Sequence, residues 1–344
     1  MLFQTNPQVS ANEIKTCAAA LNKGVRADFR TFLDSRSPII TISDCPGTCR
    51  VRLGNTQITA KCTAEIAVPN ENAPNKGSFA VKFFTSNPSI FPSPASLESF
   101  QTYFQLLWKS CCVFEEAALC LKPGEKVWKI RAQIVIDDDD GGLVDASFIA
   151  CYIMLSQLRF PAFDTVTGRL FEPTKRRTYK IAFTVTPICI TIGFMKDKKI
   201  LVDPTLNEMQ IMDGFATFVI DQNQQQQQQI YLDATLPGDI DEARNVAFEV
   251  SKRWNKVIEE SVNKFKSNMY SVGKKSDFVG YVSSKVIVGN SNVKNKYPEF
   301  NVWRGDIKES FNLDFFNFEN KIENEIVEVK NESEDNWLIS SLTK

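Results

Sequence analysis

Apolar and polar residues alternate along several stretches in the first part of the chain. This period of two predicts β-strands that bury one face and expose the other. In the clearest stretch, Ile58, Ala60 and Cys62 would face a core, while Thr59 and Lys61 would face the other way. The strands predicted in this part span residues 39–42, 48–53, 57–67, 78–84 and 126–136.

A second pattern, with apolar residues three or four positions apart, predicts helices. The helices predicted in this way span residues 11–23, 96–112, 144–157 and 240–265, and Ser10 or Asn12 can cap the first. Further strands are predicted at residues 182–194, 200–202, 216–220 and 230–232. Strands followed by helices therefore occur twice, which predicts an α+β chain with weak internal duplication.

The last part of the chain loses both periods. Beyond Asn268 it is rich in Asn, Ser, Lys and acidic residues. We expect a domain over residues 1–270 and an acidic, largely disordered tail over residues 271–344, which either stays solvated or docks on a partner. The glutamine run at residues 224–229 predicts a solvated insertion in an expanded hairpin loop, with a recognition role as the alternative.

Composition narrows the chemistry that this chain can perform. The 344 residues are 43% hydrophobic and 24% charged, which is an ordinary globular balance. Lys and Arg total 40 against 41 for Asp and Glu, so a nucleic-acid contact would have to come from a local patch. There is no histidine, which excludes Ser-His-Asp hydrolysis, Cys-His proteolysis and HExxH zinc sites.

The nine cysteines form no CxxC pair, and the nearest pair, Cys45 and Cys49, has no second pair to complete a zinc site. Most lie in apolar runs, as Cys189 does, so we expect buried free thiols in a reducing compartment and neither metal nor cofactor. The N-terminal residues lack the pattern of a secretory signal, and no apolar run reaches the roughly 18 residues of a membrane span. These features predict a cytosolic or nuclear protein.

Four segments carry a more specific signal. The first is Arg26-Ala27-Asp28-Phe29-Arg30, followed by Arg36. The second is V-R-L-G-N-T at residues 51–56, which places a hairpin turn at Gly54 and Asn55. The third joins L-C-L-K-P-G-E-K-V-W at residues 119–128 to D-G-G-L-V-D-A-S at residues 140–147. The fourth joins T-P-I-C-I, L-V-D-P-T-L-N-E and M-D-G, at residues 186–190, 201–208 and 212–214.

In this order, over residues 11–268, the four segments resemble the ribonuclease PH family. They are similar in particular to the non-catalytic, C-terminally extended ring subunits of the RNA exosome. One departure is Phe29, which stands where the family has glycine. Either the local turn therefore differs or Phe29 finds a pocket.

The resemblance implies a ribonuclease-PH-like α+β fold of the ribosomal protein S5 domain 2-like type, with duplicated strand–helix halves. It also implies a six-membered ring of ribonuclease-PH-like subunits around an RNA channel, with S1/KH cap subunits and an associated hydrolytic nuclease. Such a subunit would support 3′–5′ processing and decay of ribosomal and messenger RNA in the nucleus, nucleolus and cytoplasm.

In active members, the resemblance implies, a glycine pair is followed by Thr and Arg, and this loop binds inorganic phosphate. Here Gly141 and Gly142 are followed by Leu143 and Val144, whose apolar side chains cannot bind an anion. The acidic run at residues 137–140 would repel phosphate, and Asp145 would itself complement the positive end of the next helix. We therefore predict a degenerate phosphate loop.

The carboxylate pair of active members is also incomplete. The resemblance implies a second Asp six residues after Asp203, but Met209 stands there, although Glu208 remains. We therefore predict a degenerate carboxylate site. Of the basic residues with which one helix of active members grips RNA, only Lys109 remains, and Leu106 takes the place of another.

These losses predict a non-catalytic structural subunit of the ring. Arg30, Arg36, Arg52 and Lys109 are candidates for contact with the RNA backbone, with ordinary ion pairs as the alternative. For the group of Arg26, Asp28 and Arg30 we expect a structural ion network. The alternative functions are an active phosphorolytic 3′–5′ exoribonuclease, a sister subunit of the same ring, and an interaction module unrelated to RNA.

Overall fold

The structure is a computed structural model that describes residues 10–43, 47–91, 93–164, 169–170, 178–195, 199–221, 227–233 and 239–272. Its α-helices are α1 (Ala11–Asn22), α2 (Pro94–Ser110), α3 (Leu143–Gln157), α4 (Leu206–Met209) and α5 (Ile240–Val272), and a 3-10 helix spans Glu116–Leu119. Its strands are β1 (Pro38–Ile42), β2 (Thr48–Leu53), β3 (Thr56–Ala67), β4 (Ser78–Thr85), β5 (Cys120–Lys122), β6 (Lys126–Asp138), β7 (Phe160–Pro161), β8 (Phe163–Asp164), β9 (Arg169–Leu170), β10 (Thr178–Tyr179), β11 (Pro187–Phe194), β12 (Ile200–Val202), β13 (Gly214–Asp221) and β14 (Gln227–Asp233).

Most of these strands assemble into two sheets. The first has the order β1-β2-β3-β6-β4, with β5 paired to β6 and with β4 parallel to β6. The second has the order β12-β11-β13-β14, and its pairs are antiparallel. Two short pairings, β7 with β10 and β8 with β9, complete the described strands.

Helix α3 lies between the two sheets and contacts β2 and β3 on one side and β11 on the other. Because both sides are covered, the helix needs no polar stripe, and its first two residues, Leu143 and Val144, are already buried. Helix α5 contacts β1, β11 and β13. Its Trp254 donates a hydrogen bond from Nε1 to the carbonyl of Arg36 at 3.0 Å, which fixes the charged segment between α1 and β1.

The predicted α+β fold is confirmed, and most predicted elements lie within a few residues of their observed bounds. Ser10 caps α1 in a capping box with Glu13, so Asn12 is not the cap. The strand predicted from residue 182 was wrong at its start, since β11 begins at Pro187. The backbone before it is used elsewhere, because Thr184 and Val185 both donate to the carbonyl of Val113. The short helix α4 was missed altogether.

The loop predicted for the glutamine run was wrong for residues 227–229. These three glutamines belong to β14; Gln229 pairs with Val219 and Gln227 with Ile220 on β13, with a shift of register at Gln228. Backbone hydrogen bonds of a strand do not depend on an apolar side chain, so a polar run can continue a sheet. Residues 222–226 and the predicted tail beyond residue 272 lie outside the described residues. The domain boundary at residue 270 therefore stays a prediction.

The described cysteines are free thiols, and most are buried as predicted. Burial raises the pKa of Cys49 to about 12, which keeps it as a neutral thiol. Cys112 is exposed and Cys120 is half-buried, while Cys45 lies outside the described residues. In the part of the chain that the structure describes, no helix combines the length and the apolar character needed to cross a membrane.

Candidate functional site

Three arginines of the segment between α1 and β1 point into the protein rather than towards solvent. The side chain of Arg26 is fully buried, and those of Arg30 and Arg36 are only 14% and 9% exposed. They meet two other segments, the one that follows β12 and the loop between β6 and α3. We call this group the arginine–carboxylate cluster; its members are Arg26, Arg30, Arg36, Asp28, Asp140, Asp203 and Glu208.

Arg26 forms a two-pronged ion pair with Glu208. Its Nε and Nη2 donate to the two carboxylate oxygens at 2.8 and 2.6 Å. Its remaining N–H groups donate to backbone carbonyls, including those of Val202 at 2.9 Å and Asp203 at 3.0 Å. A buried charge is tolerated only when it is paired and fully hydrogen-bonded, so this contact holds the segment against α4 as a structural element.

Glu208 has a second role as the partner of a helix cap. Its carboxylate accepts a hydrogen bond from the backbone N–H of Thr205 at 2.8 Å, and the Thr205 side chain caps α4 in return. Both carboxylate oxygens of Glu208 are thus engaged by Arg26 and by its own helix. Three of the roughly four acceptor sites of the carboxylate are therefore used inside the protein.

Asp203 is fully buried and binds two of the arginines at once. Arg36 donates to it from Nε at 2.9 Å and from Nη2 at 2.6 Å, and Arg30 donates from Nη1 at 3.0 Å. Asp203 itself has a left-handed backbone, with φ at 47°, which points its carboxylate towards these donors. Burial by itself lowers the pKa of Arg36, but the hydrogen bonds and the negative charge of Asp203 outweigh it and raise that pKa.

The predicted phosphate loop packs against the same arginine. The backbone carbonyls of Asp140 and Gly141 accept hydrogen bonds from Arg36 at 2.9 and 3.0 Å. At Gly141, with φ at +81°, a Cβ atom would lie 2.3 Å from the carbonyl oxygen of Pro204, and at Gly142 it would lie 3.1 Å from Arg36. The glycine pair is therefore required for this close packing, and it wraps a side chain of the protein itself.

Behind the loop, Asp145 has a different environment from the predicted one. It is fully buried on α3 and accepts hydrogen bonds from the backbone N–H and the hydroxyl of Thr191, both at 2.9 Å. Asp145 lies in the first turn of α3 as predicted, but its hydrogen-bond partner is Thr191 on β11, so it links the helix to the second sheet. Burial raises the pKa of Asp145 to about 7.

The electrostatic balance of this region does not favour an anion. Three arginines of the cluster face four carboxylates, so its formal charge is 3 − 4 = −1. Asp139 adds a further carboxyl group beside them, and burial raises its pKa to about 6. Among the described residues, no group of three or more acidic or cysteine side chains is arranged to hold a metal ion.

The remaining predicted residues lie apart from the cluster. Met209 is buried in a small apolar group with Cys17 and Leu21, where α4 packs on α1. Arg52 is exposed on β2 and donates to the carbonyl of Gly54 at 2.8 Å. Lys109 is exposed in the last turn of α2. Contact of these side chains, or of Arg30 and Arg36, with RNA stays a prediction.

Phe29 does not lie in a pocket, which was one of the two sequence-based expectations; the other, a turn that differs from that of the family, stays a prediction. Its backbone is left-handed, with φ at 61°, and its side chain is 89% exposed. A left-handed backbone costs a bulky residue roughly 1–2 kcal/mol. Val25 and Leu33 in the same segment are also exposed, at 48% and 45%. Sequence reasoning missed this exposure because Phe is usually buried.

Sequence reasoning also missed the hydroxyl that shapes the loop. Thr56 is fully buried; it donates to the carbonyl of Gly141 at 2.6 Å and accepts from the N–H of Asp140 at 2.8 Å. The signal was present, since Thr56 ends the second motif, but nothing in that motif named its partner.

Comparison with known proteins places this geometry in a family. The model described as "3' exoribonuclease family, domain 1" matches residues 35–161, and the model described as "3' exoribonuclease family, domain 2" matches residues 186–250. The two matches correspond to the first and second sheets with their helices. The glycine loop lies in the first match, and Asp203 and Glu208 lie in the second.

Curated relatives agree with these matches. Exosome complex component RRP45A of Arabidopsis thaliana is 31% identical over 232 residues, which cover 63% of this chain and 74% of that protein. Exosome complex component RRP45 of Danio rerio is 29% identical over 219 residues, which cover 60% of this chain. The same component of Schizosaccharomyces pombe is 28% identical over 267 residues, or 74% of this chain and 91% of that protein. The chain spans about half the length of the vertebrate relative, 54% for that of Danio rerio.

Solved structures show the same fold. The structure titled "Archaeal exosome core" has a TM-score of 0.59 at 22% identity and covers 73% of this chain and 96% of its own. A second archaeal exosome structure, from Archaeoglobus fulgidus, has a TM-score of 0.56 at 21% identity and covers 76% of this chain.

Proposed function

Because this chain is an RRP45-like member of the ribonuclease PH family of 3′ exoribonucleases, we propose that it is a non-catalytic subunit of an RNA exosome ring. In this role it assembles with other ribonuclease-PH-like subunits into a six-membered ring and contributes to the path of RNA. S1/KH cap subunits and a hydrolytic nuclease would complete the complex. Its place of action is then the nucleus, including the nucleolus, and the cytoplasm.

One observation carries the non-catalytic part of the proposal. The arginines of the first motif are bound by the protein's own carboxylates, with Arg26 on Glu208 and Arg36 on Asp203, each at 2.6 Å at its shortest. A phosphorolytic enzyme needs cations that remain available to inorganic phosphate and to the RNA backbone. Here each cation already has an internal partner, and the cluster is negative in sum.

The exposed apolar side chains beside the cluster support the assembly part. Phe29 keeps both an unfavourable backbone conformation and an exposed ring, which stabilises nothing in the isolated chain. Exposed aromatic side chains are typical of contacts between proteins. A neighbouring subunit would cover Phe29, and this gives a reason for a side chain where the family has glycine.

The catalytic question is tested by phosphorolysis. The purified full chain, and the complex that it forms, would be incubated with RNA in the presence and absence of inorganic phosphate. We expect the chain alone to show no phosphate-dependent release of nucleoside diphosphates. If the complex releases them, the rate should be the same for a complex that has assembled with the Asp203→Asn variant. Phosphate-dependent release by the chain alone would establish the alternative, an active exoribonuclease.

The assembly question is tested by affinity purification. We expect a tagged full-length chain to recover other ribonuclease-PH-like subunits together with S1-domain proteins. A matched pair of variants, Phe29→Ser and the distant Leu106→Ser, should separate local from general effects. The first should reduce recovery and the second, on the exposed face of α2, should not. Recovery of a lone monomer by the unmodified chain would contradict ring membership.

A further inference from the structure

The outer face of the first sheet, which is turned away from α3, carries cations that belong to no part of the arginine–carboxylate cluster. Side chains on β2, β3, β6 and β4 alternate between the core and this face. Val51, Ile58 and Ile134 mark the inner side, where they belong to the main hydrophobic core. The cations on the outer side are Arg50, Arg52, Lys61, Lys82, Lys129 and Arg131.

The strand register arranges these cations in a continuous band. Side chains two residues apart on a strand are about 6.6 Å apart, and diagonal neighbours on adjacent strands are about 7–8 Å apart. Lys129 and Arg131 follow each other on β6. Arg131 is diagonal to Lys61 on β3 and to Lys82 on β4, because both of these pair with Gln133.

The band then crosses from β3 to β2. Arg50 pairs with Thr59, two residues from Lys61, and Arg52 is the next outward residue on β2. Each step from Lys129 to Arg52 is therefore roughly 7 Å. We call these six residues the basic band.

Few carboxylates share this face. Among the described residues of these four strands, Glu65, Asp137 and Asp138 are the acidic side chains on this face, so it has six cations against three carboxylates. Glu65 pairs with Arg131 at 2.5 Å, and Asp137 accepts a hydrogen bond from Thr59 at 2.8 Å. Burial and then the neighbouring charge of Arg131 lower the pKa of Lys129, so the cations are close enough to repel one another.

An aromatic ring lies beside the band. Phe84 is opposite Val135 on the same face and belongs to neither hydrophobic core cluster. The Nζ atom of Lys82 lies 5.2 Å from the centre of its ring. Cations that follow a backbone, together with aromatic rings on which bases stack, are how proteins bind single-stranded nucleic acids without reading sequence.

We propose that the basic band binds the phosphate backbone of single-stranded RNA, with Phe84 as a stacking surface for a base. A row of cations at near-constant steps is complementary to a linear polymer that carries one negative charge per unit. The proposal deepens the proposed function and rests on it for the choice of RNA as the polyanion. It adds an RNA contact on the outer sheet face, separate from the region of the degenerate phosphate loop.

The test measures RNA affinity against salt concentration. A triple variant, Arg52→Gln with Lys82→Gln and Arg131→Gln, removes three exposed cations of the band. Its matched control, Lys15→Gln with Lys23→Gln and Lys256→Gln, removes the same charge from exposed positions on or beside α1 and on α5. The probe is a fluorescent oligouridylate, and anisotropy is recorded for the full chain and for the complex that it forms.

We expect the band variant to bind more weakly by roughly 10–100-fold and to lose about 2 from the slope of log affinity against log salt, since each phosphate contact contributes about 0.7. Phe84→Ala should weaken binding by about tenfold without changing the slope. The control triple should match the unmodified chain.

Two results would overturn the proposal. Equal losses in the band and control triples would show that only net charge matters. An unchanged salt slope in the band triple, with reduced recovery of partner subunits, would show that the face binds protein instead. Neither result contradicts the proposed function. That function would fail if affinity purification of the unmodified chain recovered no other ring subunits.

Discussion

The arginine–carboxylate cluster and the basic band contain the same kinds of side chain and treat them in opposite ways. In the cluster, Arg26 is fully buried and each guanidinium has a carboxylate within 3.0 Å. In the band, six cations share a face with three carboxylates, and Arg131 keeps a side chain that is 48% exposed. The number of arginines in a sequence therefore does not indicate RNA binding, because burial and pairing decide which of them can meet a ligand.

The physical origin of the difference is the cost of burying a charge. A guanidinium that is buried loses its hydration, and a carboxylate and further hydrogen bonds must offset that cost. Such a buried arginine therefore stabilises the fold and is not available to a ligand. The cations of the band are exposed or half-buried and keep part of their hydration, so the pairing of the exposed ones with neighbours contributes about 0–1 kcal/mol. The first region should thus govern stability and the second should govern association.

The largest expected effect is in the cluster. Arg26→Met should lower the free energy of unfolding by about 3–5 kcal/mol, because it leaves Glu208 as a buried charge without its partner. Urea unfolding of the full chain measures this. The double variant Arg26→Met with Glu208→Met is the control and should lose much less, since no unpaired charge remains. Equal losses in the two variants would mean that the ion pair is not what the site requires.

The second effect concerns pH. Asp145 has a pKa raised to about 7 by burial, so the folded state binds its proton more tightly than the unfolded state, where the pKa is near the ordinary 3.8. This contribution to stability is complete below pH about 4 and is lost as the pH rises to about 7. Asp145→Asn should remove that loss, so the variant should gain about 2–3 kcal/mol relative to the unmodified chain between pH 5 and pH 8.

Unfolding curves at the two pH values measure this gain. Asp241→Asn on the surface of α5, where the side chain is 76% exposed, is the matched control and should show no such trend. A gain at Asp145 that does not change with pH would mean that the carboxyl of Asp145 does not titrate between pH 5 and pH 8 in the folded state.

A third effect is at the edge of the cluster. Phe29→Gly should stabilise the isolated chain by about 0.5–1 kcal/mol. Glycine adopts the left-handed backbone without strain, and this gain exceeds the cost of the additional backbone freedom that glycine loses on folding. Thermal unfolding measures this. Val25→Gly, a change at an exposed neighbour, serves as the control, and it should be neutral or destabilising. A loss of stability in Phe29→Gly would show that the ring makes intramolecular contacts after all.

The smallest effect is in the band. Arg131→Gln should lower the free energy of unfolding by only about 0.5 kcal/mol, because the Arg131 side chain is 48% exposed and salt screens its charge, although its partner Glu65 is only 15% exposed. The same substitution at Arg36 should cost several times more. Comparable costs at the two positions would remove the distinction between the regions.

The sequence by itself determined most of the long helices and strands and the two-sided first sheet. Alternation in β3 separated Ile58 and Ala60 from Thr59 and Lys61. The structure confirms that division, since Ile58 and Ala60 belong to the main hydrophobic core, whereas Thr59 is buried against polar partners on the other face. The glycine pair, Asp203 and Glu208 were also located from motifs, whereas the inability of Leu143 and Val144 to bind an anion stays a prediction.

Only the tertiary structure decided what the arginines do. Arg26 and Glu208 are 182 positions apart, so no local pattern could join them. Their pairing depends on α4, a helix too short to show a period, and on the path of a segment without regular structure. The basic band likewise arises only from strand register, since its residues come from four strands and become neighbours when those strands pair. Local periodicity indicates which face of a strand or helix a residue lies on. Contacts between residues that are distant in the sequence depend instead on how the elements pack together.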